Sequence, residues 1–337
     1  MLKRILYLGY YIKKLDREKF FLFLNHTAKI TNKSKASILA DVVGCVFKYN
    51  ISILEYFQFR FFEKTAEERN EWAGTGFMYE YQQKMNPVKG RDILDDKTKF
   101  YRFYQQYFVH DLADISDLKS KPEISEKLLN NPSGKIVFKV ADGKCGEQVE
   151  IVKTTELKDG IIPFMKKNNY DLAEEFILQH PDLNALSPSA VNTIRIFTQL
   201  NDKDEVEILG CRLRISVDSP VDNMAAGNLA APIDETTGIV SGIAVYSDIT
   251  KADQSIHPIT GIPITGFQVP FWKETLQLAK EAALAYPQNR SIGWDIVITK
   301  NGPGFIEGNH DWCKLLWQLP VKTGMKGRLE SYYKAYV

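Results

Sequence analysis

Apolar positions recur at helical intervals over the first third of the chain and at strand intervals over much of the rest. Phe47, Ile51, Leu54 and Phe57 are spaced to share one helix face. A polar, glycine-bearing stretch at residues 73–76 interrupts that pattern. Asp95, Asp96 and Lys97 then suit the start of a further helix, with Phe100, Phe103, Tyr104 and Tyr107 as its apolar side. Residues 1–115 therefore read as mostly helical. From about residue 133 the period shortens. Residues 135–140 and 149–153 read as two strands joined by a glycine-bearing turn, and 172–178, 193–198 and 206–215 as further strands. Residues 271–286 return to helical spacing through Leu276, Ala279, Ala283 and Tyr286. An apolar strand carrying Asp295, a turn, and a strand delivering Glu307 and Asn309 follow. Strands in runs with few helices between them predict an α+β fold with antiparallel sheets.

Composition narrows the function classes. The 337 residues are enough for a sizeable core, and 44% hydrophobic with 25% charged residues is ordinary for a globular protein. A net charge of +1 does not advertise nucleic acid. Cys45, Cys145, Cys211 and Cys313 are scattered without a Cys-x-x-Cys pair, so neither a zinc site nor a disulfide framework is expected, and a reducing, cytoplasmic compartment is the default. No apolar run approaches the roughly 20 residues of a membrane span. No signal peptide is expected, because no long apolar stretch or small-residue cleavage site follows Lys3 and Arg4. Residues 1–35 are lopsided, with nine basic residues against Asp16 and Glu18, interleaved with aromatics. Such a segment either rests on an anionic membrane surface or is a helix with one buried face and one solvated basic face.

Strand alternation gives the last hairpin its chemical interest. Asp295 and Val297 share a side of one strand, and Phe305, Glu307 and Asn309 share a side of the next. If Asp295 pairs with Glu307 or Asn309, three oxygen donors meet on one face, a cradle suited to Mg²⁺. A two-residue Asn301-Gly302 turn would instead pair Asp295 with Gly308, so the metal reading predicts an odd-length loop. An ordinary edge hairpin with solvated acids is the alternative.

Other candidates are spread along the chain. Lys139 precedes the glycine turn, where a lysine and backbone N–H groups can hold phosphate oxygens, and Lys144 within the turn can add a second charge. An edge lysine that discourages aggregation is the plainer reading. The turn is not Gly-x-x-x-x-Gly-Lys-Ser/Thr, which excludes a P-loop. Glu174 and Glu175 open an apolar run through Phe176 and Ile177 that can hold an adenine or simply be solvated. Arg195, Arg212 and Arg214 stand on apolar strands and need anionic partners, from a ligand or from nearby acids. His257 lies in a loop rich in glycine, proline and threonine.

In order, these pieces resemble an ATP-grasp enzyme, nearest to the sugar-transfer-associated branch found among bacterial capsule and exopolysaccharide genes. The resemblance runs over roughly residues 90–320. It rests on Asp96-Lys97 with Phe100, Ile136 to Lys139 with its glycine turn, Glu174 to His180, Ser189 to Arg195, Val221-Asp222-Asn223, and Gly293-Trp294-Asp295 with Ile306 to Asn309. It implies two α+β lobes with antiparallel sheets enclosing ATP, in a domain spanning 91–337 behind a helical region 1–90. The glycine-loop lobe would lie near 130–180 and the metal lobe near 185–320. Lys97, Lys139 and Lys144, with Gly143 and Gly146, would hold phosphates. Glu174, Glu175, Phe176 and Ile177 would hold adenine, and Asp295, Glu307 and Asn309 would hold Mg²⁺.

Two positions depart from the family pattern. Pro181 stands where many members have a ribose-binding acid, leaving Gln179 and Asp182 as candidates. Gly293 stands where several ligases have an arginine, leaving Arg195, Arg212 or Arg214 to supply that charge. The chemistry implied is carboxylate–amine ligation through an acyl phosphate, on a sugar- or amino-acid-derived substrate of surface polysaccharide assembly. Arg195 and Arg212 are expected at the transition state, and Asn192, Thr193, Arg214, Asn223 and His257 at the acceptor. A sugar kinase and a non-catalytic nucleotide-binding partner of a glycosyltransferase are the alternatives. The expected location is cytoplasmic, extending to the inner face of the membrane if residues 1–35 touch lipid.

Overall fold

Local signals set the first helices. The computed structural model describes residues 2–141 and 149–335. The chain opens on α1 (Leu2–Lys13), α2 (Arg17–Thr31), α3 (Lys35–Tyr49), α4 (Ile53–Gln58), α5 (Ala66–Asn70) and α6 (Thr75–Met85). Asp16 caps α2 by accepting from the Lys19 N–H, Ser34 caps α3 by accepting from the Ser37 N–H, and both helices end on left-handed asparagines, Asn32 and Asn50. A capping box between Ser52 and Glu55 starts α4.

A smaller sheet follows. After α7 (Val88–Asp95) and α8 (Lys97–Tyr104) come β1 (Leu112–Asp114), α9 (Ile115–Ser120), α10 (Pro122–Leu129), β2 (Lys135–Lys139), β3 (Val149–Lys153), α11 (Ile161–Asn168) and β4 (Leu172–Glu175). The strands are antiparallel in the order β1-β4-β2-β3. Ile136 and Phe138 point into a core with Leu118, Leu128, Ile161 and Met165, so Lys135, Val137 and Lys139 lie on the other face. The strand expected over 172–178 stops at Glu175, because Phe176 turns away after its N–H reaches the Lys135 carbonyl. The short β1 had no signal of its own in the pattern.

The larger sheet carries the charged groups. Following α12 (Pro181–Leu186) are β5 (Ile194–Leu200), β6 (Val206–Ile215), β7 (Leu229–Ile233), α13 (Trp272–Ala285), β8 (Ser291–Thr299) and β9 (Gly302–Asn309), then α14 (Lys314–Gln318) and α15 (Lys326–Ala335). The order is β7-β6-β5-β8-β9, all antiparallel. One face, with Ile194, Ile196, Trp294 and Ile296, is buried with residues of α7, α8 and α13. On the other face Phe197, Leu209, Trp312 and Trp317 share a core with Phe23, Val42, Phe57 and Met78 of the leading helices. The helical residues therefore close over the sheet rather than forming a core of their own.

The β8–β9 turn corrects the expectation of an odd-length loop. Thr299 pairs with Gly302, so the loop is the two-residue Lys300-Asn301, one position earlier than the Asn301-Gly302 alternative. Regular pairing would then set Asp295 opposite Ile306. A bulge absorbs Ile306 and brings Asp295 opposite Glu307, and Gly293 opposite Asn309.

Candidate functional site

Cross-strand register assembles a single row of charge. Reading across β6, β5, β8 and β9, the paired positions are Arg212, Arg195, Asp295 and Glu307, so all four start from one face of the sheet. Asp295 is buried and clamped. Its Oδ1 accepts from Arg195 Nε at 2.5 Å, and its Oδ2 accepts from Arg195 Nη2 and Arg214 Nη1, both at 2.7 Å. Arg214 also reaches Asp222 at 2.7 Å, and Asp222 accepts from the Thr193 N–H and hydroxyl at 2.8 and 2.6 Å. Burial opposes the Asp295 charge, yet Arg195 and Arg214 hold its carboxyl well below the usual range. Arg214 is likewise held charged against its burial by Asp222 and Asp295.

Glu307 has the opposite environment. Burial and the neighbouring Asp295 both push its carboxyl up. Among the described residues its side chain takes a hydrogen bond from Asn309, whose Nδ2 donates to Oε1 at 3.2 Å. The donor set fits a hard cation. A carboxylate offers about four acceptor positions, and the three N–H groups on Asp295 leave one at Oδ1. Glu307 and the Asn309 amide oxygen add oxygen donors on the same face, and a divalent ion would offset the charge that burial makes unfavourable on Glu307. Among the described residues no three His, Cys, Asp or Glu side chains converge as a metal cluster, so this set depends on Asn309 as its third member.

Gly293 explains where the expected arginine charge went. A Cβ at Gly293 would lie 2.7 Å from Trp312 Cβ and 3.3 Å from Arg195 Cδ. The space above Gly293 is thus filled by Trp312 and by Arg195 itself, which carries the guanidinium to Asp295 from the neighbouring strand. Arg212 turns elsewhere. It is buried, donating to the carbonyls of Trp317 and Cys211, and burial lowers its pKa to about 10.

The small sheet holds a second charged cluster. Lys139 donates to Glu174 Oε2 at 2.6 Å on the face opposite Ile136 and Phe138. Burial opposes the Glu174 charge, but Lys139 wins and brings the carboxyl down to about 2. The Glu174 carboxylate, expected beside adenine, is engaged with Lys139. His110 lies 3.7 Å from the same oxygen with its side chain 2% exposed, and among the described residues neither ring nitrogen has a hydrogen-bond partner. Glu175 and Phe176 are tied through their N–H groups to Asp111 and Lys135, with the Lys135 ammonium 5.0 Å from the Phe176 ring centre. Ile177 follows, half-buried. Lys97 starts α8, and its N–H donates to the Ala141 carbonyl, immediately before the glycine turn. Gly143, Lys144 and Gly146 lie outside the described residues.

Several residues expected at the acceptor make internal hydrogen bonds. Asn192 is fully buried, donating to the Ser187 carbonyl and accepting from the Ser216 N–H. Buried His257 donates from Nε2 to the Ser216 carbonyl and accepts at Nδ1 from the Ile259 and Thr260 N–H groups. Thr193 serves Asp222, and half-buried Asn223 accepts from the Ala225 N–H. Gln179 is similarly engaged, donating to Ser187 and Ala190 and accepting from Asn192. That leaves exposed Asp182 as the acid available near Pro181. Gln179 and His180 also bond β8 through Thr299 and Ile298, fastening the segment between the two sheets. The sequence reading quoted Asp222 only within Val221-Asp222-Asn223, with no role of its own, and did not single out His110. Asp222 meets its partners 29 residues from Thr193, and no local spacing signals that.

With this geometry in view, the family comparison is decisive. The profile of the family described as sugar-transfer associated ATP-grasp matches residues 77–334. The chain belongs to that family. Its ATP-grasp fold, α+β behind a helical N-terminal region, has likenesses among solved structures. One is the ADP complex of purK, N5-carboxyaminoimidazole ribonucleotide synthetase, at 8% identity and TM-score 0.39, covering 65% of this chain and 45% of that one. Another is the biotin carboxylase domain of the Hydrogenobacter thermophilus 2-oxoglutarate carboxylase with MgADP, at 12% identity and TM-score 0.38, covering 74% and 52%. A third is the L-amino acid ligase from Bacillus licheniformis, at 16% identity and TM-score 0.38, covering 66% and 42%. The chain spans about half the length of these structures. No curated protein matches it in sequence. Among the described residues no helix is long and apolar enough to cross a membrane.

Proposed function

We propose that this protein is an ATP- and Mg²⁺-dependent carboxylate–amine ligase acting on a sugar- or amino-acid-derived substrate, within surface polysaccharide assembly. The observation that carries the reading is the placement of Glu307 and Asn309 beside an Asp295 held ionised by two arginines. Asp295, Glu307 and Asn309 would hold Mg²⁺, which supplies charge neutralisation to the ATP phosphates. Lys139 and Lys97, with the glycine turn, would fix those phosphates, Glu174 would keep Lys139 aimed, and the segment from Glu175 to Ile177 would border the adenine. Arg195 and Arg214 act through Asp295 rather than on the substrate, and Arg212 through the backbone it braces. In the reaction a substrate carboxylate oxygen bonds to the γ-phosphorus as the bond to the β-bridging oxygen breaks, releasing ADP. An amine then attacks the acyl carbon, phosphate leaves, and the amine gives up a proton. No side-chain nucleophile is required.

The test is isotope scrambling in ATP labelled at the β,γ-bridging oxygen, with candidate carboxylates and no amine. A ligase scrambles the label reversibly and forms product only once an amine is supplied. A kinase gives a stable phosphorylated hydroxyl without any amine. Wild-type protein that fails to bind an ATP analogue with Mg²⁺ removes the reading altogether.

A further inference from the structure

The leading helices expose more apolar surface than their packing explains. Of the 20 large hydrophobic side chains exposed among the described residues, eight lie between Leu6 and Val43. They concentrate around the elbow between α1 and α2. Tyr10 and Ile12 are 55% and 56% exposed on its α1 side, and Phe21 and Leu22 are 57% and 46% exposed on its α2 side. Four exposed basic residues, Lys13, Lys14, Arg17 and Lys19, lie between these two pairs in the chain. At about 1.5 Å of rise per helical residue, each of these side chains starts within roughly 10 Å of the elbow along its helix. The same helices bury their other faces through Tyr11, Phe23 and Leu24, so the outward residues are surplus to the core.

Charge selects the occupant. Residues 1–35 carry nine basic and two acidic residues, a local charge of +7 in a chain whose total is +1. Asp16 caps α2, accepting from the Lys19 N–H and lying 3.8 Å from the Lys19 ammonium, exposed Glu18 is the other acid of the segment, and Arg4 and Lys33 reach backbone carbonyls. The outward surface therefore keeps a basic excess, with Lys13, Lys14 and Arg17 among aromatic and aliphatic side chains, a combination that gains from both acyl chains and anionic headgroups. A second copy of this chain would bring one basic elbow against another.

We infer that the α1–α2 elbow is a peripheral membrane-docking surface for anionic phospholipid bilayers, seating Tyr10, Ile12, Phe21 and Leu22 at the headgroup boundary. The inference is independent of the ATP reading. The experiment is co-sedimentation of the full chain with vesicles of phosphatidylglycerol and phosphatidylcholine in equal parts, against vesicles of phosphatidylcholine alone. Binding is expected only to the anionic vesicles and weakens as salt is raised. The pair Phe21→Ser/Leu22→Ser and the pair Lys13→Glu/Lys14→Glu should each weaken it about tenfold or more. Circular dichroism on both variants confirms that the helices persist. Equal binding to neutral vesicles, no binding to either, or unchanged binding of folded variants overturns the proposal. So does concentration-dependent dimerisation that Phe21→Ser/Leu22→Ser abolishes, because the surface would then belong to a second copy.

Discussion

Glu307 stands directly across the β8–β9 ladder from Asp295, and their surroundings push the two carboxyl pKa values in opposite directions. Arg195 and Arg214 stabilise the Asp295 charge, while burial and Asp295 itself disfavour a charge on Glu307. The pair should respond differently to the same chemical change. Asp295→Asn leaves two buried guanidinium groups short of a carboxylate and should cost about 3–5 kcal/mol in denaturant unfolding. Glu307→Gln should leave stability unchanged or raise it, yet abolish Mg²⁺-dependent ATP turnover. Equal losses of stability would show that the two acids are not differentiated in this way.

Lys139 and Glu174 should make stability depend on acid. The folded Glu174 carboxyl lies near 2 against an ordinary 4.5, so its contribution is complete above about pH 4.5 and is lost as pH falls toward 2. A shift of that size corresponds to about 3 kcal/mol. Lys139→Met should remove that acid-dependent component from the stability curve and lower stability at neutral pH, whereas Lys139→Arg should retain most of it. Urea unfolding at a series of pH values tests this.

Gly293 is set by space. Gly293→Ala places a methyl 2.7 Å from Trp312 Cβ, a backbone-proximal atom that cannot swing aside. Overpacking of this kind should cost about 1–3 kcal/mol. Gly293→Arg should prevent folding rather than supply an arginine charge at that position. Thermal melts and soluble yield provide the measurement.

The helical region is tied to the rest through a buried ion pair. Glu55 accepts from Lys314 at 2.9 Å and also from the Ser52 and Thr75 N–H groups and the Thr75 hydroxyl. Lys314→Met should cost about 3–5 kcal/mol by stranding the carboxylate, and adding Glu55→Gln should recover part of it. Deleting residues 1–70 should give insoluble protein, because Phe197, Trp312 and Trp317 would lose the side chains that cover them.

Much of this architecture was legible locally. The change from helical to alternating spacing, the helix starting at Lys97, and the Lys139, Glu174 and Asp295 strands follow from short-range patterns. The internal hydrogen bonds of Asn192 and His257 were not legible in this way. A buried amide or imidazole that joins two segments resembles a ligand-binding one in sequence, since both are polar groups in loops beside strands. Ser216, which holds both, lies 24 residues beyond Asn192 and 41 before His257.

By itself the chain's order of residues determined which side chains could share a strand face, because alternation is a property of the backbone and needs no partner. Tertiary structure decided which of them meet. The bulge at Ile306 corrected the parity that a two-residue loop would have spoiled, and it brought Glu307 opposite Asp295. The guanidinium groups of Arg195 and Arg214 reach that carboxylate from 100 and 81 residues away. Such meetings depend on the order of strands in a sheet and on the cost of burying an unpaired charge, and neither is written in any one segment.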